Sequence, residues 1–261
     1  MTAKKLVVWD LDDTLMDNVH DYAQPILDSM SVIVRELGRR APHVSALMQI
    51  EQKIDKDRIE RINPDTGEKF LFSMERFPGS LVKTYQYVCA EVGATSDRVV
   101  EEELWEIGMQ AFDPSRYEDN ILPEAESVLK AVAEMGSIQV LLTKGDPRVQ
   151  DPKFKALQAQ GLLKYFAFYE PVPKKGVEEF SDALKKAFSY GPVGHLRVSI
   201  GNGWKSDIEP AIEAGYIGIL VPTWNWEEIH DKDKFFAEAE AHESVVIAET
   251  LAEVPAIVEA L

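Results

Sequence analysis

The sequence predicts an α/β fold: a parallel sheet core with helices on both faces, carrying an all-helical insert. An apolar run, Leu6 to Trp9, stops abruptly in the carboxylates Asp10, Asp12 and Asp13. From Leu122 onward, helix-like and strand-like segments alternate, the texture of βαβ crossovers in a parallel sheet. Between them, from about Asp21 to about Asp113, no convincing strand interrupts a helical pattern.

Leu6 to Trp9 is β-branched and aromatic, as expected of a strand buried on both faces. In the insert, Ile26, Met30, Ile33 and Leu37 recur at helical spacing, and turn-forming clusters fall at residues 63–67 and at Phe77-Pro78-Gly79-Ser80. Ser80 is placed to open a helix carrying Leu81, Tyr85 and Val88. The second half then predicts a helix near Glu124 to Glu134, a strand Ile138 to Leu142, a helix near Val149 to Gln160 and a strand Tyr165 to Tyr169. A helix near Val177 to Phe188, a strand Leu196 to Ile200, a helix Asp207 to Ala214 and a strand Ile217 to Val221 follow. Residues 244–261 supply a last strand and helix.

Ligands of open α/β sheets bind at the carboxyl ends of the strands, so the residues found there matter most. At strand spacing Asp10 and Asp12 face one side while Leu11 turns into the core. Two carboxylates that close repel one another unless a cation lies between them or one is protonated. The second strand ends in Thr143-Lys144-Gly145-Asp146, a hydroxyl and helix-opening N–H groups suited to an anionic oxygen. The third leads into Lys174-Lys175-Gly176, and the fourth into Gly201-Asn202-Gly203 with Asp207 close behind.

The chain of 261 residues is long enough for a full core, and its formal charge of −17 disfavours nucleic acid or an anionic membrane as partner. Cys89 is the single cysteine, which excludes a disulfide framework and a thiolate metal site. No stretch is long and apolar enough to span a bilayer, and the first residues lack signal-peptide character, so a cytoplasmic protein is expected. Oligomeric state has no signature here.

In order and spacing these four stations resemble the signatures of the haloacid dehalogenase (HAD) superfamily. Asp10-Leu11-Asp12-Asp13-Thr14 matches the nucleophile motif, Thr143 the hydroxyl motif, Lys175 or Lys174 the lysine motif, and residues 201–207 the acidic metal motif. The spacing to Val177 and Phe180 favours Lys175. The resemblance implies a Rossmann-like core, residues 1–16 and 120–261, and a helical cap domain, residues 17–119, closing over the site. It implies a Mg²⁺-dependent phosphatase acting on a small phosphorylated metabolite, with an aspartyl-phosphate on Asp10 and Asp12 as general acid and base. Thr143 and the lysine would hold the phosphoryl oxygens, with Thr14, Lys144 and Gly145 beside them. Mg²⁺ would be held by Asp10, the backbone carbonyl of Asp12, and Asn202 and Asp207. The chain departs from the family at Asn202, where the pattern has an aspartate, so one metal ligand brings no charge.

The core is equally that of a phosphomutase or a haloacid dehalogenase, although cleavage of a carbon–halogen bond has no use for an acid at Asp12. A non-catalytic phosphometabolite-binding protein would have no need of both carboxylates. Elsewhere, ordinary explanations suffice. Lys144, Lys174 and Lys205 read as solvated charges, and Thr143 alone as a helix cap. His20, His43, His195, His230 and His242 lack ligand spacing. Phe70, Phe72 and Phe77 read as insert core and Trp224-Asn225-Trp226 as core edge. Asp17 and Asn18, close after the nucleophile turn, suit a cap hinge or contact.

Overall fold

The computed structural model describes residues 3–223, 236–237 and 239–261, so Trp224-Asn225-Trp226 and His230 lie outside the described residues. The chain divides into two compact units, Met1–Asn18 with Arg116–Leu261, and Val19–Ser115.

The first unit is built on a six-stranded, wholly parallel sheet in the order β3-β2-β1-β4-β5-β6. The strands are β1 (Lys4–Trp9), β2 (Ile138–Lys144), β3 (Phe168–Val172), β4 (Val193–Gly201), β5 (Ile217–Leu220) and β6 (Val245–Ile247). It is an α/β, Rossmann-like sheet. β1 is central because both faces of it are apolar. Val7 and Trp9 enter one core with Val128, Leu129, Phe154 and Leu157, whereas Leu6 and Val8 enter the other with Phe180 and Ala211. Trp9 Nε1 donates to Gln139 Oε1 (2.8 Å), and Gln139 Nε2 donates to Leu129 O (2.9 Å), which satisfies the polar groups buried between β1 and β2. The strand order reverses beside β1, so the crevice of the fold opens where Asp10 begins.

Helices of the second unit are α1 (Val19–Leu37), α2 (Val44–Ile59), α3 (Arg76–Glu91) and α4 (Arg98–Met109). The first unit carries α5 (Ala125–Glu134), α6 (Pro147–Ala159), α7 (Val177–Ala187), α8 (Glu209–Glu213) and α9 (Val254–Ala260). The helical unit has its own core, in which Met30, Ile33, Leu37, Leu81, Tyr85 and Val88 meet Leu47, Val100 and Leu104. Phe70 and Phe77 are buried within this unit and Phe72 is half-buried.

Where the chain leaves the sheet unit and returns, it is tied to itself. Asp17 N donates to Asn120 O (2.8 Å), Leu122 N to Leu15 O (3.0 Å), and Met16 bridges Ile121 in antiparallel fashion.

Three local expectations are corrected. Phe77-Pro78-Gly79-Ser80 is not a break: α3 begins at Arg76 and runs through it. Pro78 falls in the first turn, where a missing N–H costs no helical hydrogen bond, and Ser80 Oγ donates back to Arg76 O instead of capping. The third strand is Phe168–Val172, not Tyr165 to Tyr169, because Leu162–Tyr165 closes a 3-10 turn after left-handed Gly161. β3 is an edge strand and so tolerates Pro171. The helix expected from Asp207 begins at Glu209, after a π-helical turn, Trp204–Ile208, which holds Asp207.

Candidate active site

Asp10 follows β1 directly, its N–H extending the ladder to Ile200 O (2.9 Å). The strand itself ends at Trp9, so strand alternation does not aim Asp12; a tight turn does. Leu15 N donates to Leu11 O (2.9 Å), Asp13 N to Met16 O (2.7 Å), and Asp13 takes a left-handed φ of 58° that an aspartate tolerates better than most residues. Leu11 is fully buried, as its apolar side chain requires. Asp13 itself faces the turn: its Oδ1 accepts the Asn18 N–H at 2.8 Å.

Each of the two catalytic candidates in this turn meets its own lysine. Asp10 Oδ1 accepts from Lys175 Nζ, and its Oδ2 receives the Thr14 hydroxyl at 3.3 Å. The same Lys175 ammonium donates to Asp207 Oδ1 at 2.6 Å. Asp10, Lys175 and Asp207 are all buried, two carboxylates sharing one cation. Burial and the neighbouring Asp207 push the Asp10 carboxyl up to about 7 against the pull of Lys175. Burial disfavours the Lys175 cation, but Asp10 and Asp207 together outweigh it and hold its pKa above the ordinary lysine value. Lys174, by contrast, is exposed. Lys175 is brought in by the start of α7, where Gly176 N donates to Glu179 Oε2 at 2.8 Å.

Asp12 is engaged from α6. Its Oδ1 accepts from Lys153 Nζ at 2.5 Å and its Oδ2 from Gln150 Nε2 at 2.8 Å. Asp146 caps this helix, its side chain accepting from Arg148 N at 2.9 Å, and Pro147 occupies the first helical position. Sequence reasoning missed both Lys153 and Gln150. A signal existed: residues 150, 153 and 157 fall on one helical face, and the last of them, Leu157, is plainly a core residue.

Thr143, at the end of β2, is fully buried, and its Oγ1 has no hydrogen-bond partner among the described residues. An orphaned buried hydroxyl is costly unless something is meant to fill it. Lys144 and Gly145 are half-buried beside it, with Lys144 O accepting from Gln150 Nε2 at 3.3 Å. Lys205, His20, His43, His195 and His242 are exposed.

The Gly201 to Asp207 loop folds back on itself. Asp207 Oδ2 accepts the Gly203 N–H (2.8 Å), and Ser199 Oγ donates to Asp207 O (2.7 Å). Asn202 is buried and donates its Nδ2 to Thr223 Oγ1 at 3.0 Å, which turns the amide oxygen into the group it can offer a cation. Among the described residues no three Asp, Glu, His or Cys side chains converge as a ready metal cage. Mg²⁺ seldom needs one: it is typically held by one or two carboxylates with water and phosphate completing the octahedron. The donors here are hard oxygens, and Asp10 and Asp207 outnumber the one ammonium between them, so the residues fit that ion.

No protein-family model and no curated protein matches the chain. Solved structures do match in fold, among them HAD-like hydrolases, phosphatases and haloacid dehalogenases. A haloacid dehalogenase-like family hydrolase of Xanthomonas campestris aligns with a TM-score of 0.67 at 21% identity, over 99% of this chain and 96% of that one. A Haemophilus somnus protein, predicted to be a phosphoglycolate phosphatase, aligns with 0.54 at 15% identity, over 98% and 99%. The L-2-haloacid dehalogenase of Xanthobacter autotrophicus aligns with 0.50 at 16% identity, over the whole of both chains. At these identities the likeness is one of fold.

Proposed function

We propose that this chain is a HAD-like phosphatase that hydrolyses a small phosphorylated metabolite through an aspartyl-phosphate on Asp10. The observation that carries the reading is the orphaned Thr143 hydroxyl, buried at a strand end of the sheet that also presents the Asp10–Lys175 pair and, separately held, Asp12. Asp10 attacks phosphorus. The bond from phosphorus to the leaving oxygen breaks, and that oxygen keeps the electron pair and takes a proton from Asp12. Water then attacks phosphorus and gives its proton to Asp12, and the electron pair of the breaking P–O bond returns to Asp10. Thr143 Oγ1 donates to a phosphoryl oxygen, and Lys175 neutralises the charge passing through Asp10. Thr14 steadies the carboxylate, while Lys144 and Gly145 border the phosphoryl group.

Asp10, Asp207, Asn202 and the backbone carbonyl of Asp12 are the groups that would hold Mg²⁺, whose charge would stabilise the phosphoryl oxygens. With Asn202 in place of a carboxylate, affinity for the ion is expected to be modest.

A dehalogenase shares this fold, but release of halide needs no proton donor, which leaves Asp12 and its lysine without a task. The test is hydrolysis of p-nitrophenyl phosphate with Mg²⁺ and with chelator, wild type against Asp10→Asn, beside halide release from a 2-haloacid. Metal-dependent phosphate release that Asp10→Asn abolishes supports the reading. Halide release, or no phosphate release with any divalent metal, overturns it.

A further inference from the structure

Lys153 is a lysine with a 2% exposed side chain, far costlier to bury than the methionine or leucine that would fill the same space. Its ammonium is engaged on several sides: it donates to Asp12 Oδ1 (2.5 Å) and to Asn18 Oδ1 (2.7 Å), and lies 5.5 Å from the centre of the Tyr117 ring. Asp12 keeps a partly open side chain, 22% exposed. Gln150 donates to its other oxygen. Among the described residues each carboxylate oxygen thus has one side-chain donor, and since each offers about two lone-pair positions, one on each remains for chemistry. The carboxylate is held without being saturated.

We propose that Lys153, assisted by Gln150, is the positioning residue of Asp12: it fixes the acid–base carboxylate so that a proton is delivered to the leaving oxygen, and later taken from water, at one place. The inference rests on the phosphatase reading. Lys153 does not touch the phosphoryl group; it acts through Asp12. A lysine kept only for the fold would affect all substrates alike, whereas one that positions an acid matters most where the leaving oxygen is hardest to expel.

The test is a leaving-group comparison on the full chain with Mg²⁺. Phenyl phosphate needs a proton on its departing oxygen; 2,4-dinitrophenyl phosphate does not. In Lys153→Met, kcat/KM for phenyl phosphate is expected to fall roughly tenfold or more beyond the fall for dinitrophenyl phosphate. Because the base is also misplaced, hydrolysis of the aspartyl-phosphate slows, so a burst of dinitrophenolate precedes a slower steady rate. Lys153→Arg restores part of the difference, and in an Asp12→Ala background Lys153→Met adds no further loss. Should Lys153→Met fail to fold, Gln150→Leu removes the other donor and is expected to give the same pattern more weakly. Equal losses with both phosphates, or losses that multiply with those of Asp12→Ala, overturn the positioning role and leave the phosphatase reading standing. A wild-type protein inert toward dinitrophenyl phosphate overturns both.

Discussion

Gly201 makes room for Asp207: a Cβ added at Gly201 would lie 2.5 Å from both Cβ and Cγ of Asp207. Those atoms are the root of a carboxylate held at both oxygens, by Lys175 and by Gly203 N, so the side chain has nowhere to yield. Gly201→Ala is therefore expected to destabilise the protein by about 1–3 kcal/mol, the usual cost of overpacking. It should also displace Asp207 from Lys175 and, on the proposed function, lower turnover of an aryl phosphate. Urea unfolding and p-nitrophenyl phosphate hydrolysis, measured on the same preparation, check both.

Thr143→Val replaces a buried hydroxyl that has no hydrogen-bond partner among the described residues with a methyl of similar shape. Stability should hold or rise by up to about 1 kcal/mol, because a desolvated donor without a partner is removed. Catalysis should move the other way, kcat/KM falling roughly tenfold or more as a phosphoryl oxygen loses its donor. A loss of stability comparable with other core changes would mean the hydroxyl is a structural group.

In the helical unit, Glu51 is buried near Asp55, and burial first, then that neighbour, push its carboxyl up to about 8, with Arg76 pulling back. The folded chain thus holds a proton that the unfolded chain, with an ordinary value of 4.5, releases sooner. The stabilisation is complete below the unfolded value and is lost as pH rises through the folded one. Unfolding free energy should fall between about pH 5 and about pH 8, by at most about 1.4 kcal/mol per pH unit. Denaturation of Glu51→Gln across that range should be flatter, and an equal slope in the variant would assign the effect elsewhere.

Asp55 is the centre of a buried cluster in the same unit, bonded to Arg76 and, through Oδ1, to Ser80 Oγ at 2.8 Å. Removing the cation alone strands the carboxylate: Arg76→Met should cost about 3–5 kcal/mol. Replacing Asp55 as well, in Asp55→Leu with Arg76→Met, should recover most of that loss. Chemical unfolding of the single and double variants decides whether the pair stabilises or merely compensates itself.

The positions at the strand ends were legible because the sheet's rule is local: an apolar run ends, and polar residues gather there or in the turn beyond. Asp10 follows β1 directly and Thr143 stands at the end of β2, whereas Lys175 and Asp207 stand a few residues beyond β3 and β4, where the Gly176 and Gly201-Asn202-Gly203 turns marked the strand ends; the parallel sheet was legible from the alternation of helix and strand. Lys153 and Gln150 were not, since they reach the site from the flank of α6, where a polar residue in a helix reads as solvated unless its face is known to be buried. The third strand slipped because Tyr165 and its neighbours are aromatic for packing against the sheet, a requirement indistinguishable in sequence from pairing within it. Pro78 misled for a similar reason: proline is compatible with a helix's first turn and with a loop, and only the start at Arg76 separates them.

Residues 15–17 and 120–122 cinch the chain to itself at the neck of the long excursion. With that neck fastened, the cost of the intervening loop grows only with the logarithm of its length, so what hangs beyond the neck is nearly weightless to the sheet. The core is in effect a socket. Over evolutionary time one insert could be shortened, enlarged or exchanged for another without renegotiating the strands, so the residues that follow β1 can stay as they are while the insert changes.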